Sequence, residues 1–313
     1  MQSYSLFAPA KINLHLEIIG DRVDGYHELV MIMQSVNLGD IIHLRANGTD
    51  KTRLYCENPQ VPLDSTNLAY KAVRLMQEKF PSHAQNFGGV DITIEKNIPV
   101  AAGLAGGSTN AAAVLVGINL MWSLGLTQPD LRELGALLGS DVPFCISGGT
   151  AIATGRGEEI EPLPDLADIW VILAKYNNLA VSTPWAYQTY RKKYNHLYVH
   201  ARTEVKSRTH EVHSGKLVKA IANHSSKAIG ELLYNDLEKV VLPEYPPVSA
   251  LIDAFKEENV LGAMMSGSGP TVFAICNTEQ EGKSIVQRVE KKMNNKNLQL
   301  WLAQMCPHGI IVT

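Results

Sequence analysis

Residues 99–110 are a run of small side chains, Pro-Val-Ala-Ala-Gly-Leu-Ala-Gly-Gly-Ser-Thr-Asn. The run lies between an alternating strand pattern at 90–94 and an Ala-rich apolar helix pattern at 111–122. A helix N-terminus offers unpaired backbone N–H groups and a positive dipole end, and glycine lets a phosphate approach closely. The run has neither a Walker A lysine nor the Gly-x-Gly-x-x-Gly spacing. We predict a phosphate site of a less common type; the alternative is a tight glycine turn that serves packing alone.

Two charged residues could act on a bound phosphate. Lys11 lies at the start of an alternating strand, on the face that it shares with Asn13 and His15. Asp141 stands between Gly139-Ser140 and an apolar stretch, so it could be a catalytic carboxylate. Taken singly, the lysine is typical of a solvated surface charge and the aspartate of a helix N-cap.

Two further segments could contact a ligand. Asp-Gly-Tyr-His-Glu at 24–28 offers an aromatic ring and an imidazole after the first long strand, and its simpler interpretation is an Asp-Gly turn. Ser-Gly-Ser-Gly-Pro at 266–270 lies between two strand patterns. It is either an ordinary hairpin turn or a second set of backbone N–H groups that face the same phosphates.

The elements that position these residues follow from periodicity. Strict alternation over 12–18 predicts a half-buried strand, and 30–38 and 41–44 predict two strands with a turn at Gly39-Asp40. A helix is predicted over 68–79 with Ser65 or Thr66 as N-cap, and another from Thr183, where Pro184 takes the favoured first position. The polar stretch 194–214 is predicted to be a surface loop.

Taken in order, these segments resemble the GHMP small-molecule kinases. The shared motifs are Pro-Ala-Lys-Ile-Asn, Pro-x-x-x-Gly-Leu-x-Gly-Gly-Ser-x-Asn-Ala, Gly-Ser-Asp-Val-Pro-Phe and Ser-Gly-Ser-Gly-Pro, which begin here at 9, 99, 139 and 266. The resemblance spans residues 6–276 and is weakest over 188–225. The sequence Gly-Tyr-His at 25–27 further resembles the members of the family that act on a cytidine-containing substrate.

The resemblance implies an α+β, two-domain GHMP kinase fold. Residues 1–160 would form an N-terminal domain similar to ribosomal protein S5 domain 2, with the ATP loop and the catalytic residues. Residues 161–313 would form a ferredoxin-like C-terminal domain on the substrate side. The implied activity is ATP-dependent phosphorylation of an alcohol group on a cytidyl diphosphate sugar alcohol, with ATP and Mg²⁺ as cofactors.

The resemblance also implies the roles of single residues. Asp141 would be the general base for the acceptor hydroxyl, and Lys11 would favour its ionised form and stabilise charge on the γ-phosphate. Tyr26 and Tyr187 would stack on the two faces of cytosine while His27 recognises its polar edge. The remaining implied contacts are Asn13 and Thr183 for the substrate, and Asn67, Pro99, Val100, Ala101, Ala102, Gly103, Leu104, Ala105, Gly106, Gly107, Ser108 and Thr109 for ATP.

Two departures from the family pattern concern the loop and the stacking pair. Ala101, Ala102 and Ala105 stand where glycine also occurs in the family, which narrows the room for phosphate. Tyr187 stands where phenylalanine can occur, and stacking survives that change. Whether Ser108 or Thr109 would contact Mg²⁺ stays open.

Three alternatives use the same residues differently. Another GHMP kinase, of the homoserine or mevalonate type, would have no base to stack on Tyr26 and Tyr187. A non-catalytic nucleotide sensor on this fold would need no general base such as Asp141. An S5-like RNA-binding module is disfavoured by the formal net charge of −3.

Composition bounds the setting in which the protein works. Hydrophobic residues make up 45% of 313 and charged residues 19%, as in a globular protein, and no apolar run suffices for a membrane span. The N-terminus has no signal-peptide pattern, and four cysteines without metal spacing indicate free thiols. We expect a cytoplasmic bacterial protein (or a processed plastid-stroma chain), monomeric or weakly dimeric, with small-molecule ligands, no nucleic-acid or membrane partner and no metal held by protein side chains alone.

Overall fold

The computed structural model describes residues 3–199 and 201–313, which combine strands and helices in two sheets. The strands are β1 (Ser3–Asp21), β2 (His27–Ala46), β3 (Arg53–Cys56), β4 (Val90–Glu95), β5 (Thr150–Thr154), β6 (Glu159–Pro162), β7 (Trp170–Tyr176), β8 (Tyr234–Asn235), β9 (Gly262–Met265), β10 (Val272–Cys276), β11 (Leu298–Gln304) and β12 (Ile311–Val312). The helices are α1 (Leu68–Lys79), α2 (Pro81–Phe87), α3 (Gly106–Met121), α4 (Gln128–Ala136), α5 (Val142–Ser147), α6 (Thr183–Tyr194), α7 (Arg202–His213), α8 (Lys216–Ala222), α9 (Ser226–Glu231), α10 (Glu238–Glu244), α11 (Pro246–Lys256) and α12 (Glu279–Met293), with a 3₁₀ turn at Asn195–Leu197.

The long antiparallel pair β1–β2 is the spine of the first sheet, whose order is β12-β1-β2-β4-β3, with β5 on β2 and β6 on β5. The prediction that the 12–18 strand is half-buried is wrong, because both faces of β1 are covered. Ile12 and Leu14 pack in a core with the second sheet, whereas Leu16 and Ile18 pack in a core with α1 and α3. Register shifts in β1, one of them after Asn13, change which side chains point to which face.

The predicted turn at Gly39-Asp40 is also wrong, because β2 runs through it as one strand. Pro9 pairs with Gly39 and Ala10 with Val36, so the chain bulges at this point instead of reversing. The bulge buries Asp40 completely. Its carboxylate accepts hydrogen bonds from the Lys96 Nζ (2.6 Å), the Asn110 side chain (2.7 Å) and the backbone N–H groups of Asn97 and Ile98 (2.8 Å each). One buried carboxylate therefore fixes the segment that enters the glycine loop.

The second sheet is antiparallel, with the order β11-β7-β10-β9. Residues 266–270 join β9 to β10, as the two strand patterns predicted. The predicted domain boundary at 160/161 falls inside β6, which pairs with the first sheet. Two short strands of the second half, β8 and β12, also pair with β1. The two halves of the chain are therefore interleaved at the spine.

Two local predictions need correction. Helix α1 is capped by Asn67 and not by Ser65 or Thr66, because the side chain of Asp64 binds both the backbone N–H and the hydroxyl of Thr66. The Asn67 side-chain oxygen accepts from the Ala69 N–H at 2.9 Å.

The stretch 194–214 is not a loop but holds the 3₁₀ turn and helix α7, apart from His200, which lies outside the described residues. Polar composition hid this helix, whose apolar side is narrow. Val205 and Val212 pack against the core, and Arg208 donates to Glu17 of β1 at 2.7 Å.

Candidate active site

A cleft of about 760 Å³ opens between the spine, the glycine loop and α6. It brings together segments that are far apart in sequence. The predicted site residues that line it are Lys11, Tyr26, His27, Asn67, Pro99, Val100, Ala101, Ala102, Gly103, Ala105, Gly106, Gly107, Ser108, Asp141, Thr183 and Tyr187.

Lys11 is held in place and not solvated as a surface charge would be. Its side chain is buried, its Nζ donates to the Asn13 side-chain oxygen at 2.7 Å, and the Nζ lies 3.8 Å from Asp141 Oδ2. Its backbone N–H donates to the Leu104 carbonyl at 3.2 Å. The strand β1 and the glycine loop are thus joined at the residue that carries the ammonium group.

Asp141 immediately precedes α5, but its side chain does not cap the helix. The backbone of Asp141 is itself helical, and its carboxylate makes no capping hydrogen bond. That carboxylate faces Lys11 and keeps about a third of its surface exposed to the cleft. The position therefore combines a cationic partner with access to a ligand.

The glycine loop turns into α3 through backbone that favours glycine. Ala101 (φ 50°) and Ala105 (φ 56°) lie in the left-handed region although both carry a Cβ. Ala105 is the N-cap of α3 and no side chain caps that end, so the first backbone N–H groups are left for a ligand. Two of the three alanines that stand where glycine also occurs in the family, Ala101 and Ala105, thus keep the glycine-like conformation.

Three predicted contacts do not line the cleft. Asn13 is fully buried behind Lys11, and Leu104 is buried in the core with only its carbonyl reaching Lys11. Thr109 is also buried, and its hydroxyl has no hydrogen-bond partner among the described residues. Of the two hydroxyl residues at the start of α3, only Ser108 therefore lines the cleft.

The Asn67 side chain is already occupied. Its oxygen caps α1 and its nitrogen donates to the Pro62 carbonyl at 2.8 Å. The segment 60–62 lines the cleft beside it. Asn67 thus holds the 60–62 segment in place and also lines the cleft itself.

The opposite end of the cleft is aromatic. The rings of His27 and Tyr187 lie 5.2 Å apart at 35°. Tyr26 is half-exposed, and the Arg156 guanidinium lies 5.2 Å from the centre of its ring. Arg191 of α6 donates to the Asp21 carboxylate at 2.8 Å and to the Gly25 carbonyl at 3.1 Å, which ties the β1–β2 hairpin to α6.

His27 is a neutral imidazole at neutral pH. Burial and the nearby Arg191 lower its pKa and Asp21 opposes them, with a net result of about 4. Its Nε2 is buried and has no hydrogen-bond partner among the described residues, with Asp21 Oδ1 3.8 Å away. A neutral imidazole can donate or accept at this atom, so His27 is able to recognise a polar ligand edge. Burial also raises the pKa of the Tyr187 hydroxyl, which keeps that ring uncharged.

Our sequence analysis missed three cations that line the cleft: Lys96, Arg156 and Arg191. Lys96 pairs with Asp40, and its Nζ lies beside Gly106, where an added Cβ would be only 3.0 Å away from it. Its position directly before the glycine loop was the available signal. For Arg156, the signal was a Gly-Arg-Gly sequence in a segment that we interpreted only as a boundary.

The cleft thus has four cationic side chains, those of Lys11, Lys96, Arg156 and Arg191, and the accessible carboxylate of Asp141. The cations suit an anionic ligand, and the carboxylate can accept a proton.

No cluster of three or more His, Cys, Asp or Glu residues that could hold a metal ion occurs among residues 3–199 and 201–313. All four cysteines are free, and burial raises the pKa of Cys276 to about 12 and that of Cys306 to about 11. No helix in the described part of the chain is both long and apolar enough to cross a membrane.

Two family models match this chain. The GHMP kinases N terminal domain covers residues 67–149, which include the glycine loop and Asp141, and the GHMP kinases C terminal domain covers residues 217–295. The family assignment and the predicted α+β, two-domain fold are confirmed.

Curated relatives are similar over the full length. The 4-diphosphocytidyl-2-C-methyl-D-erythritol kinase of Gloeothece citriformis is 60% identical, covering 100% of this chain and 99% of its own. The enzyme of the same name from Nostoc punctiforme is 57% identical with the same coverage.

Solved structures agree with the sequence relatives. A crystal structure of 4-(cytidine 5'-diphospho)-2C-methyl-D-erythritol kinase matches with a TM-score of 0.73 and 27% identity, covering 96% of this chain and 98% of its own. A homoserine kinase from Cytophaga hutchinsonii matches with a TM-score of 0.77 at 20% identity, which is a likeness of fold alone. On the strength of the full-length relatives, the chain belongs to the 4-diphosphocytidyl-2-C-methyl-D-erythritol kinase family of the GHMP kinases.

Proposed function

We propose that this protein transfers the γ-phosphoryl group of ATP to the C2 hydroxyl of 4-diphosphocytidyl-2-C-methyl-D-erythritol, a step of the non-mevalonate route to isoprenoid precursors. One observation carries the proposal. A single cleft holds an uncapped helix N-terminus, the Lys11–Asp141 pair and an aromatic end with an unpartnered imidazole. These features suit a triphosphate, a hydroxyl acceptor and a nucleobase, respectively.

Asp141 is the proposed general base. A tertiary hydroxyl is a poor nucleophile until its proton has an acceptor, and the Asp141 carboxylate is accessible and uses no hydrogen bond to cap α5. Lys11, 3.8 Å away, stabilises negative charge on the phosphoryl group in transfer. Burial of Lys11 strengthens this effect because water screens it less.

The glycine loop and α3 are proposed to bind the phosphates of ATP. The first-turn residues Gly106, Gly107 and Ser108 line the cleft at an end of α3 that no side chain caps, and Lys96 adds a charge beside Gly106. Mg²⁺ binds mainly through phosphate oxygens and water, with few protein ligands. Of the two predicted candidates, Ser108 lines the cleft and Thr109 is buried, so we propose that the Ser108 hydroxyl would hold the ion, which would neutralise phosphate charge.

The aromatic end is proposed to bind the cytosine. Tyr26 and Tyr187 offer ring faces for stacking, and the neutral His27 offers Nε2 to the polar edge of the base. Homoserine and mevalonate contain no base, so kinases for these substrates would gain nothing from this end. Thr183 and Asn13 are proposed to act near the acceptor, Asn13 by holding Lys11.

Coupled ADP release from purified protein with Mg-ATP tests the proposal. The acceptors are 4-diphosphocytidyl-2-C-methyl-D-erythritol, homoserine, mevalonate and none. We expect ADP release with the first alone. Turnover with another acceptor would overturn the roles given to Tyr26, His27 and Tyr187. ATP binding without turnover on any acceptor would favour a nucleotide sensor.

We further infer that the ligands are small molecules alone, and that the protein works in the cytoplasm of a bacterium as a monomer or weak dimer. Relatives from bacteria and the slightly negative net charge support this. Size-exclusion chromatography with light scattering tests the oligomeric state, and fractionation of the source cells tests the compartment.

A further inference from the structure

A second loop, residues 266–270, contacts the glycine loop directly and lines the cleft through Gly267 and Ser268. The Ser266 hydroxyl donates to the Gly103 carbonyl at 3.1 Å, and a Cβ on Gly267 would lie 3.4 Å from the Asn13 side-chain oxygen. The Ser268 hydroxyl lies 2.7 Å from that of Thr183. The loop therefore touches the phosphate side and the acceptor side of the cleft at once.

One buried side chain holds this loop from behind. The Asn235 amide nitrogen donates to the Met265 carbonyl at 2.9 Å and to the Gly267 carbonyl at 2.8 Å. Its oxygen accepts from the Leu237 N–H at 2.9 Å. Both N–H bonds and the oxygen are thus used, and Asn235 is only 4% exposed. An amide of this length is matched to the site, because it donates twice and accepts once.

Asn235 is itself fixed to the strand that carries Lys11. β8 pairs in parallel with β1, with Leu16 opposite Asn235. The neighbouring Asp236 donates its N–H to the Leu16 carbonyl at 2.9 Å and accepts from the Ile18 N–H at 2.8 Å. A short path of hydrogen bonds therefore runs from β1 through Asn235 to the loop and on to Gly103.

We propose that Asn235 is a positioning residue for the phosphoryl transfer of the proposed function, on which this inference rests. It fixes the 266–270 loop against Gly103 and Asn13, and so sets the glycine loop relative to the Lys11 ammonium. It touches no substrate. A shift of about 1 Å in such an arrangement is enough to reduce turnover by about a hundredfold.

The chain contains a matched control. Gln34 is also fully buried, donates to two backbone carbonyls, of Ser35 (2.8 Å) and Cys306 (3.0 Å), and accepts from the Thr150 hydroxyl. Gln34 pairs with Ile12 in the sheet, so the two side chains lie on the same face. Lys11, the neighbour of Ile12, points to the other face, which is the face of the cleft.

The experiment compares Asn235→Asp with Gln34→Glu in the full-length protein. Each change is close in size and replaces two N–H donors by a carboxylate that two carbonyls repel. The measurements are the melting temperature, the kcat and both KM values from ADP release, and hydrogen–deuterium exchange of the peptide that covers 266–271.

We expect Asn235→Asp to lower kcat by about tenfold to a hundredfold, with the KM for the cytidyl substrate changed less than about threefold. The 266–271 peptide should exchange faster in this variant. Gln34→Glu should lower the melting temperature by a similar amount, but it should leave kcat and the exchange rate of the 266–271 peptide unchanged. If Asn235→Asp does not fold, the experiment uses Asn235→Ser, which keeps one hydrogen-bond donor. We expect kcat and exchange to change in the same directions in that variant.

Unchanged exchange of 266–271 in the Asn235 variant would overturn the proposal, as would a kcat loss equal to that of Gln34→Glu. If the unmutated protein releases no ADP with the cytidyl substrate, the proposed function fails. The exchange comparison then still decides whether Asn235 holds the loop.

Discussion

At the residue scale, the site depends on polar side chains that the folded protein leaves without a hydrogen-bond partner. Asp141 precedes α5 without capping it, and the Thr109 hydroxyl and the His27 Nε2 have no partner among the described residues. Folding leaves such groups unpaired at a cost, since buried polar atoms are normally hydrogen-bonded. Lys11, by contrast, donates one hydrogen bond to Asn13 and faces Asp141.

Asp141→Asn should lower kcat by about two to four orders of magnitude, because the amide cannot accept the hydroxyl proton. ATP and the cytidyl substrate should still bind, since the change is isosteric and Lys11 keeps its bond to Asn13. Steady-state ADP release and calorimetric titration measure the two effects. Turnover close to that of the unmutated protein would remove Asp141 as general base.

Tyr26→Ala should raise the KM for the cytidyl substrate by about tenfold, with a smaller effect on kcat at saturation. Loss of one stacking face costs about 1–3 kcal/mol for a base. Tyr55, which is exposed to a similar degree outside the cleft, provides the control Tyr55→Ala. An unchanged KM in the Tyr26 variant would contradict stacking.

The lowered pKa of His27 has a measurable consequence for stability. Between pH 6.5 and about 4 the imidazole takes up a proton in the unfolded chain but not in the folded protein. The free energy of unfolding should therefore fall as the pH falls through this window. His27→Gln should lose less stability over the same window, and exposed His196→Gln should behave like the unmutated protein in urea unfolding. Parallel curves for all three proteins would contradict the assignment.

At the element scale, what matters is how loops are held against each other. The bulge in β2 buries Asp40, which fixes the entrance to the glycine loop, and the 266–270 loop closes on Gly103 from the other side. Arg191 ties the β1–β2 hairpin to α6 and thus brings His27 next to Tyr187. None of these contacts is local in sequence.

Gly103→Ala should destabilise the protein and raise the KM for ATP. Gly103 has φ +72°, and a Cβ there would lie 2.3 Å from the Ser266 carbonyl oxygen, so backbone must move. The left-handed conformation alone costs an alanine about 1–2 kcal/mol. Thermal unfolding and ADP-release kinetics measure both effects.

Ala101→Gly is the control for this prediction, because Ala101 already has φ 50°. Relief of strain and the greater freedom of glycine in the unfolded chain are of similar size, so the free energy of unfolding should change by less than about 1 kcal/mol. A Gly103→Ala variant as stable as Ala101→Gly would disprove the close approach of the two loops.

At the scale of the whole molecule, the cleft is made by both halves of the chain. The first half supplies Lys11, the glycine loop and Asp141, and the second half supplies Tyr187 and the 266–270 loop. Strands β8 and β12 return to the first sheet, so the two halves share the spine. A ligand that fills the cleft must therefore stabilise the whole chain.

Mg-ATP and CDP, the nucleotide part of the cytidyl substrate, should each raise the melting temperature. At a hundredfold excess of ligand over its Kd, the free energy of unfolding should rise by about 2.7 kcal/mol. CDP should lose its effect in Tyr26→Ala while Mg-ATP keeps it. A differential scanning experiment measures both. Equal loss of the two effects would mean that the nucleotides share one site.

Sequence by itself determined the family, and it predicted the phosphate loop and the chemistry-bearing residues, because these are local motifs in which residue type and spacing suffice. It also predicted the strand–loop–helix order around 90–122 and the start of α6. Its errors were non-local. The bulge at Gly39-Asp40 depends on β1 pairing along β2, and α7 is held by contacts such as Arg208 with Glu17.

Only the tertiary structure decided which of these residues meet. The pairing of Lys11 with Asp141, the isolation of the His27 imidazole and the cations Lys96, Arg156 and Arg191 depend on chain segments that are distant in sequence. Burial and charge at a site are sums over such neighbours, and no single segment contains them. The sequence thus named the groups that could react, and the fold set their distances, exposure and protonation.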